Sequence, residues 1–127
     1  MWSDRPAART FLVPLSMHHV TIRQQEGTAV VLASGELDAY AAPDLVAAFA
    51  AVAGSQSVVA DLTRVSFLDS TALGEIVRAA RAREELGAGL RIVLPEGPAR
   101  RIFEMTQLDR ALPVADTLTA AIGDLAS

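Results

Sequence analysis

Two short polar segments of this chain hold residues that can do chemistry: Asp69-Ser70-Thr71-Ala72-Leu73-Gly74 and Gly35-Glu36-Leu37-Asp38. Ser70 places a hydroxyl where an apolar strand pattern gives way to a helical one. That position has two readings. A serine oxygen can cap the helix, an interaction typically worth ~1 kcal/mol. It can also accept a phosphoryl group, which would meet unpaired backbone N–H groups and the positive end of the helix dipole. Asp69, next in sequence, would repel that phosphate. Asp38 and Asp69 could form a carboxylate pair for acid–base work or for holding Mg²⁺. No phosphate-binding loop accompanies them, so Asp38 is expected to orient its neighbours or to contact a partner.

Enzyme templates fail on the same residues. A nucleophile elbow needs glycine on both sides of the serine at G-x-S-x-G, and Leu68 and Ala72 hold those places. A haloacid-dehalogenase-like site needs a second aspartate two residues after Asp69, where Thr71 stands. A receiver domain needs a lysine, and the chain has none. Neither a P-loop nor G-x-G-x-x-G is present. His18 and His19 are adjacent, so on a strand they point to opposite faces and do not share a metal. They are expected at the surface. No catalytic residue, metal ligand or cofactor is assigned.

Both polar segments follow a strand and precede a helix, which puts them at the carboxyl edge of a parallel sheet. Neither is expected to fill the core. Val20 to Gln24 alternates apolar and polar residues and predicts a half-exposed edge strand. Glu26-Gly27-Thr28 reads as a turn. Ala29 to Ala33, bounded by Ser34-Gly35, reads as the second strand of a hairpin. Pro43 suits the first position of a helix carrying Leu45, Val46, Phe49 and Val52. Val58 to Leu62 reads as a central strand, prolonged by Phe67 and Leu68. The next helix carries Leu73, Ile76, Val77 and Ala80 and closes at Gly87. Leu90 to Leu94 is a further strand. Pro98 opens a helix with Ile102, Met105 and Leu108 on one face. A last strand at Leu112 to Val114 precedes a helix capped by Thr117, with the stripe Leu118, Ala121, Ile122 and Leu125. The order ββαβαβαβα predicts an α/β fold: a mixed, mostly parallel sheet with an N-terminal hairpin and about four helices.

Composition narrows the function further. The 127 residues suffice for one domain, and 51% are hydrophobic, enough for a real core. All eleven basic residues are arginine, against fifteen acidic ones, for a net charge of −4. That balance argues against direct nucleic-acid binding. Arg78, Arg81 and Arg83 are followed by Glu84 and Glu85 and read as a solvated helix face. With Glu75, Arg78 and Arg81 are also candidates for partner selection. Without cysteine there is neither a disulfide nor thiol chemistry, which allows the cytoplasm, the expected location, without requiring it. No apolar run reaches the ~18 residues of a membrane span. Residues 1–17 read as a poorly ordered arm preceding a domain over 18–127.

The run Val58-Val59-Ala60-Asp61-Leu62-Thr63-Arg64-Val65-Ser66-Phe67-Leu68-Asp69-Ser70-Thr71-Ala72-Leu73-Gly74 resembles the signature of STAS domains, in the branch of bacterial anti-sigma factor antagonists. Gly35-Glu36-Leu37-Asp38 is similar to that family's second motif. Glu85 to Val93 and Met105-Thr106-Gln107-Leu108-Asp109 resemble its later part. Ala72 stands where many members have glycine. The resemblance implies a partner-binding switch in transcription and stress responses, without catalysis of its own. Its partners would be an anti-sigma factor that is also a serine kinase of the histidine-kinase-like ATPase fold, and a PP2C-type phosphatase. Ser70 would be the phosphoacceptor, and phosphorylation would block binding. Asp38, Asp69, Ser70, Thr71 and Gly74 would form the partner-binding rim. The alternative is a STAS scaffold or sensor subunit of a stressosome-like or transporter-associated assembly.

Overall fold

The computed structural model describes residues 17–126. The expected arm therefore lies outside the described residues, except for Met17. The strands are β1 (His18–Gln25), β2 (Thr28–Leu37), β3 (Ser57–Leu68), β4 (Gly89–Val93) and β5 (Val114–Ala115). They form one sheet in sequence order, with β1 and β2 antiparallel and the other neighbours parallel. The helices are α1 (Ala42–Ala51), α2 (Ser70–Glu85), α3 (Pro98–Met105), α4 (Leu108–Ala111) and α5 (Leu118–Ala126). This is the expected α/β fold with one additional short helix.

The hairpin turn has positive φ at both Glu26 and Gly27, the conformation that matches the twist of two antiparallel strands. After it, the strands run parallel in sequence order. Right-handed crossovers then stack the connecting helices on one side of the sheet. Ala29, Val31, Ala33 and Leu37 of β2 and Val58, Ala60 and Leu62 of β3 pack there, against Leu45, Ile76 and Phe103 of α1, α2 and α3. The other side carries a smaller core, in which Val30, Val59 and Val93 meet Ala121 and Ile122 of α5.

β3 is twice interrupted. Its register with β2 jumps from Leu32↔Asp61 to Ser34↔Arg64, and from Gly35↔Val65 to Glu36↔Phe67. Each jump inserts one extra residue into β3, a β-bulge that shifts the inward phase. The inward residues are therefore Val58, Ala60, Leu62, Val65 and Leu68, spaced by two and then by three. Phe67 is thereby turned outward and left 48% exposed. At the first bulge the Thr63 N–H donates to Asp61 Oδ1 at 3.0 Å, and the Thr63 hydroxyl donates to the same oxygen. The buried Asp61 carboxylate thus holds the irregular backbone in place.

Several expectations are corrected. β2 does not stop at Ser34-Gly35 but continues to Leu37. Gly35 allows this: its φ is +84°, and an added Cβ would lie 2.1 Å from the Met17 carbonyl oxygen. α1 begins at Ala42, which places Pro43 second in the helix. Val46, included in its apolar stripe, is exposed. The buried residues of α3 are Ala99 and Phe103; of the expected face, Ile102 and Leu108 pack against the core as partly buried residues, while Met105 is 83% exposed. Gln107, at φ 60°, breaks the chain into α3 and α4, so Met105 and Leu108 do not belong to one continuous helix. Arg83 is not on a solvated face. It is buried, and its guanidinium donates to the carbonyls of Ala53, Gln56 and Gly89. Burial lowers its pKa from the ordinary value.

The two ends of the molecule behave as read. Gly87, at φ +69°, follows the last turn of α2. The N–H of Gly87 donates to Glu84 O, and that of Ala88 to Arg83 O, the Schellman pattern. Thr117 Oγ1 accepts the Ala120 N–H at 3.1 Å and caps α5. Among the described residues no helix is long and apolar enough to cross a membrane.

Candidate functional site

The rim forms where β2 and β3 end side by side. Leu37 pairs with Leu68, and the Asp69 N–H donates to the Leu37 carbonyl at 3.0 Å. One hydrogen bond thus joins the two polar motifs, as their shared position after parallel strands requires. Leu37 and Ala72, however, are completely buried. The motifs are therefore partly core, contrary to expectation: each anchors an exposed polar residue with a buried apolar one.

The two aspartates act on backbone. Asp38 Oδ1 accepts the N–H of Tyr40 at 2.9 Å and of Ala41 at 3.3 Å. This fixes the turn that leads into α1. Asp69 is the N-cap of α2, with extended backbone, and its Oδ1 accepts the Ala72 N–H at 2.9 Å. The cap is therefore supplied by Asp69, and the Ser70 hydroxyl is not needed for it. Ser70 is the first residue of α2 and is exposed, as is Thr71. Gly74 lies one turn further, half-buried, with nothing within 4 Å of an added Cβ.

The first turn of α2 thus offers a hydroxyl at the positive end of a helix of 16 residues. A phosphate there would keep the helix hydrogen bonds and change only the surface charge. Asp38 and Asp69 each spend an oxygen on backbone N–H groups, which suits a positioning role. Among the described residues no cluster of three or more His, Asp or Glu side chains could hold a metal ion. His18 Nε2 lies 2.7 Å from Asp44 Oδ2 and ties β1 to α1, while His19 lines the opposite face of the sheet. The two histidines therefore diverge, as the strand geometry demands.

Along the two segments that form the rim the structure exposes residues that sequence reasoning missed. Tyr40 is 84% exposed on the turn that Asp38 fixes, and Phe67 is exposed just before Asp69. An aromatic residue is a core candidate by type, so only the register of β3 and the path of the turn reveal these two as surface. On α2, Glu75 and Arg78 form an ion pair at 2.7 Å.

The STAS domain family model matches residues 19–121. The chain is similar to an anti-sigma factor antagonist from Mycobacterium paratuberculosis, with 31% identity and a TM-score of 0.78. That alignment covers 87% of this chain and 95% of the other. The fold is similar to that of the Bacillus cell fate determinant SpoIIAA in its phosphorylated form, at 23% identity and a TM-score of 0.64, covering 84% and 98%. It is also similar to a variant of RsbS from Moorella thermoacetica, at 20% identity and a TM-score of 0.69, covering 84% and 94%.

Proposed function

The chain belongs to the STAS domain family, and from that membership we propose that it is an anti-sigma factor antagonist working by partner switching. It is a binding module, not an enzyme. In its unphosphorylated form it binds an anti-sigma factor that is also a serine kinase of the histidine-kinase-like ATPase fold. A sigma factor is thereby released. Phosphorylation of Ser70 blocks the binding, and a PP2C-type phosphatase restores it. The exchange takes place in the cytoplasm, without direct contact to nucleic acid, in keeping with the net charge of −4.

The observation that carries this reading is the division of labour at the start of α2. Asp69 caps the helix, leaving the exposed Ser70 hydroxyl available to a kinase. Asp38, Thr71 and Gly74 lie on the same rim and contribute to the docking surface. A phosphate at its centre adds a doubly charged group that must be desolvated and that repels acidic partner groups. A loss of a few kcal/mol in docking corresponds to orders of magnitude in affinity. No refolding is required.

The test uses the wild-type protein and Ser70→Asp as baits in a lysate of the native host. Phosphorylation of the recovered wild type is mapped in parallel. A histidine-kinase-like ATPase retained only by the wild type, with phosphate on Ser70, is the expected result. Equal retention on both baits, with Ser70 unmodified, refutes the switch.

A further inference from the structure

An apolar groove of about 260 Å³ runs along the outer side of the helix layer, between α1 and α2. Val46, Phe49 and Ala50 line it from α1, and Ala79, Ala82 and Leu86 line it from α2 and its C-cap. Val46 is 48% exposed and Leu86 73% exposed, so two large aliphatic side chains stand in water on its lips. The rim motifs do not account for them.

The chain itself supplies a matching segment close by. The Met17 carbonyl accepts the Glu36 N–H at 3.0 Å, and His18 bonds Asp44 of α1 at 2.7 Å. The described chain therefore begins beside the first turn of α1, and Asp44 is only two positions before Val46. Phe11-Leu12-Val13-Pro14-Leu15 lies just upstream. At ~3.3–3.6 Å per extended residue, Phe11 can reach about 20 Å from Met17. The groove from Val46 to Ala53 follows about 10 Å of helix axis. Tether length is therefore sufficient. Pro14 has a fixed φ and biases Val13 toward extended backbone, which suits a segment laid along a groove.

We propose that residues 11–15 dock in the α1–α2 groove of their own chain and cover Val46 and Leu86. The docked segment occupies the outer side of the same two helices that rise to the rim. It would compete with any partner that grips both rim and groove. The inference is independent of whether Ser70 is phosphorylated.

The chain has no cysteine, so Thr10→Cys attaches a nitroxide at a single place in the 127-residue chain. The readout is loss of amide NMR signal in the isotope-labelled chain. Ala79, Ala82 and Leu86 are expected to lose most of their intensity. Gln24 and Gln25, at the same end of the domain but outside the groove, are expected to keep theirs. Combining Val46→Asp with Leu86→Asp, both at exposed positions, should restore the Ala79 and Ala82 signals. Equal attenuation at Gln24 and Ala82, no attenuation at either, or attenuation that survives the double substitution overturns the proposal. A mixture of isotope-labelled chain without nitroxide and nitroxide-bearing chain without isotope identifies the donor. Equal signal loss in that mixture would assign the groove to a second copy and overturn docking within one chain.

Discussion

Ser70 owes its availability to its neighbour. A capping oxygen is worth ~0.5–2 kcal/mol against alanine, and the 2.9 Å bond from Ala72 to Asp69 shows which residue supplies it. Asp69→Ala is therefore expected to destabilise the domain by about 1 kcal/mol in urea denaturation. Ser70→Ala should leave the midpoint nearly unchanged. Ser70→Asp adds a negative charge at the helix N-terminus, where charge and dipole attract. Its thermal midpoint should be equal to or slightly above wild type. Loss of partner binding by a variant that is no less stable would separate charge blocking from unfolding. Arg83 is the opposite kind of residue. It is 6% exposed, and it serves three carbonyls from two places in the chain, Ala53 and Gln56 in the loop before β3 and Gly89 at the start of β4. Arg83→Met removes the donor these carbonyls share, although Gln56 O keeps the Gly89 N–H, and a loss of ~2–4 kcal/mol is expected from denaturation curves. Arg83→Lys should rescue little of it, because one ammonium lacks the planar fork that reaches all three. In the sequence Arg83 looked like Arg78 and Arg81, since charge type carries no information about which side of a helix meets a loop.

At the scale of elements, backbone irregularities set the positions of side chains. The two bulges in β3 turn Phe67 outward and Leu68 inward, which delivers Asp69 to the end of Leu37. Strand alternation alone could not foresee them, because a bulge is made by pairing with a neighbour rather than by local propensity. Gly35 is the matching constraint in β2. Gly35→Ala combines a left-handed φ with a clash against the Met17 carbonyl. A loss of ~1–3 kcal/mol is expected, together with faster amide exchange in β1. The corrected face of α3 is equally testable. Phe103 is fully buried and Met105 faces solvent. Phe103→Ala should cost ~3–5 kcal/mol in urea denaturation. Met105→Gln should stay within ~0.5 kcal/mol of wild type.

For the whole molecule, the sheet order explains why one edge carries the rim. Parallel strands in sequence order bring the loops after β2 and β3 to the same end, side by side, and joined by the bond from Asp69 to Leu37. The hairpin, the alternation of strands and helices, the acidic surface without lysine or cysteine, and the two polar motifs were all legible in the sequence. Each depends on short-range signals: periodicity, turn residues, capping residues and composition. The sequence also led to the right family, because its longest motif, Val58 to Gly74, is one continuous run and the shorter ones are each local. The capping residue, the burial of Leu37, Ala72 and Arg83, and the outward turn of Tyr40 and Phe67 were decided only in the folded chain. These are relations between residues distant in sequence, set by register, bulges and packing. No local pattern encodes which of two adjacent hydroxyl and carboxylate groups will find a backbone N–H, or which arginine will be enclosed by the loops that fold around it.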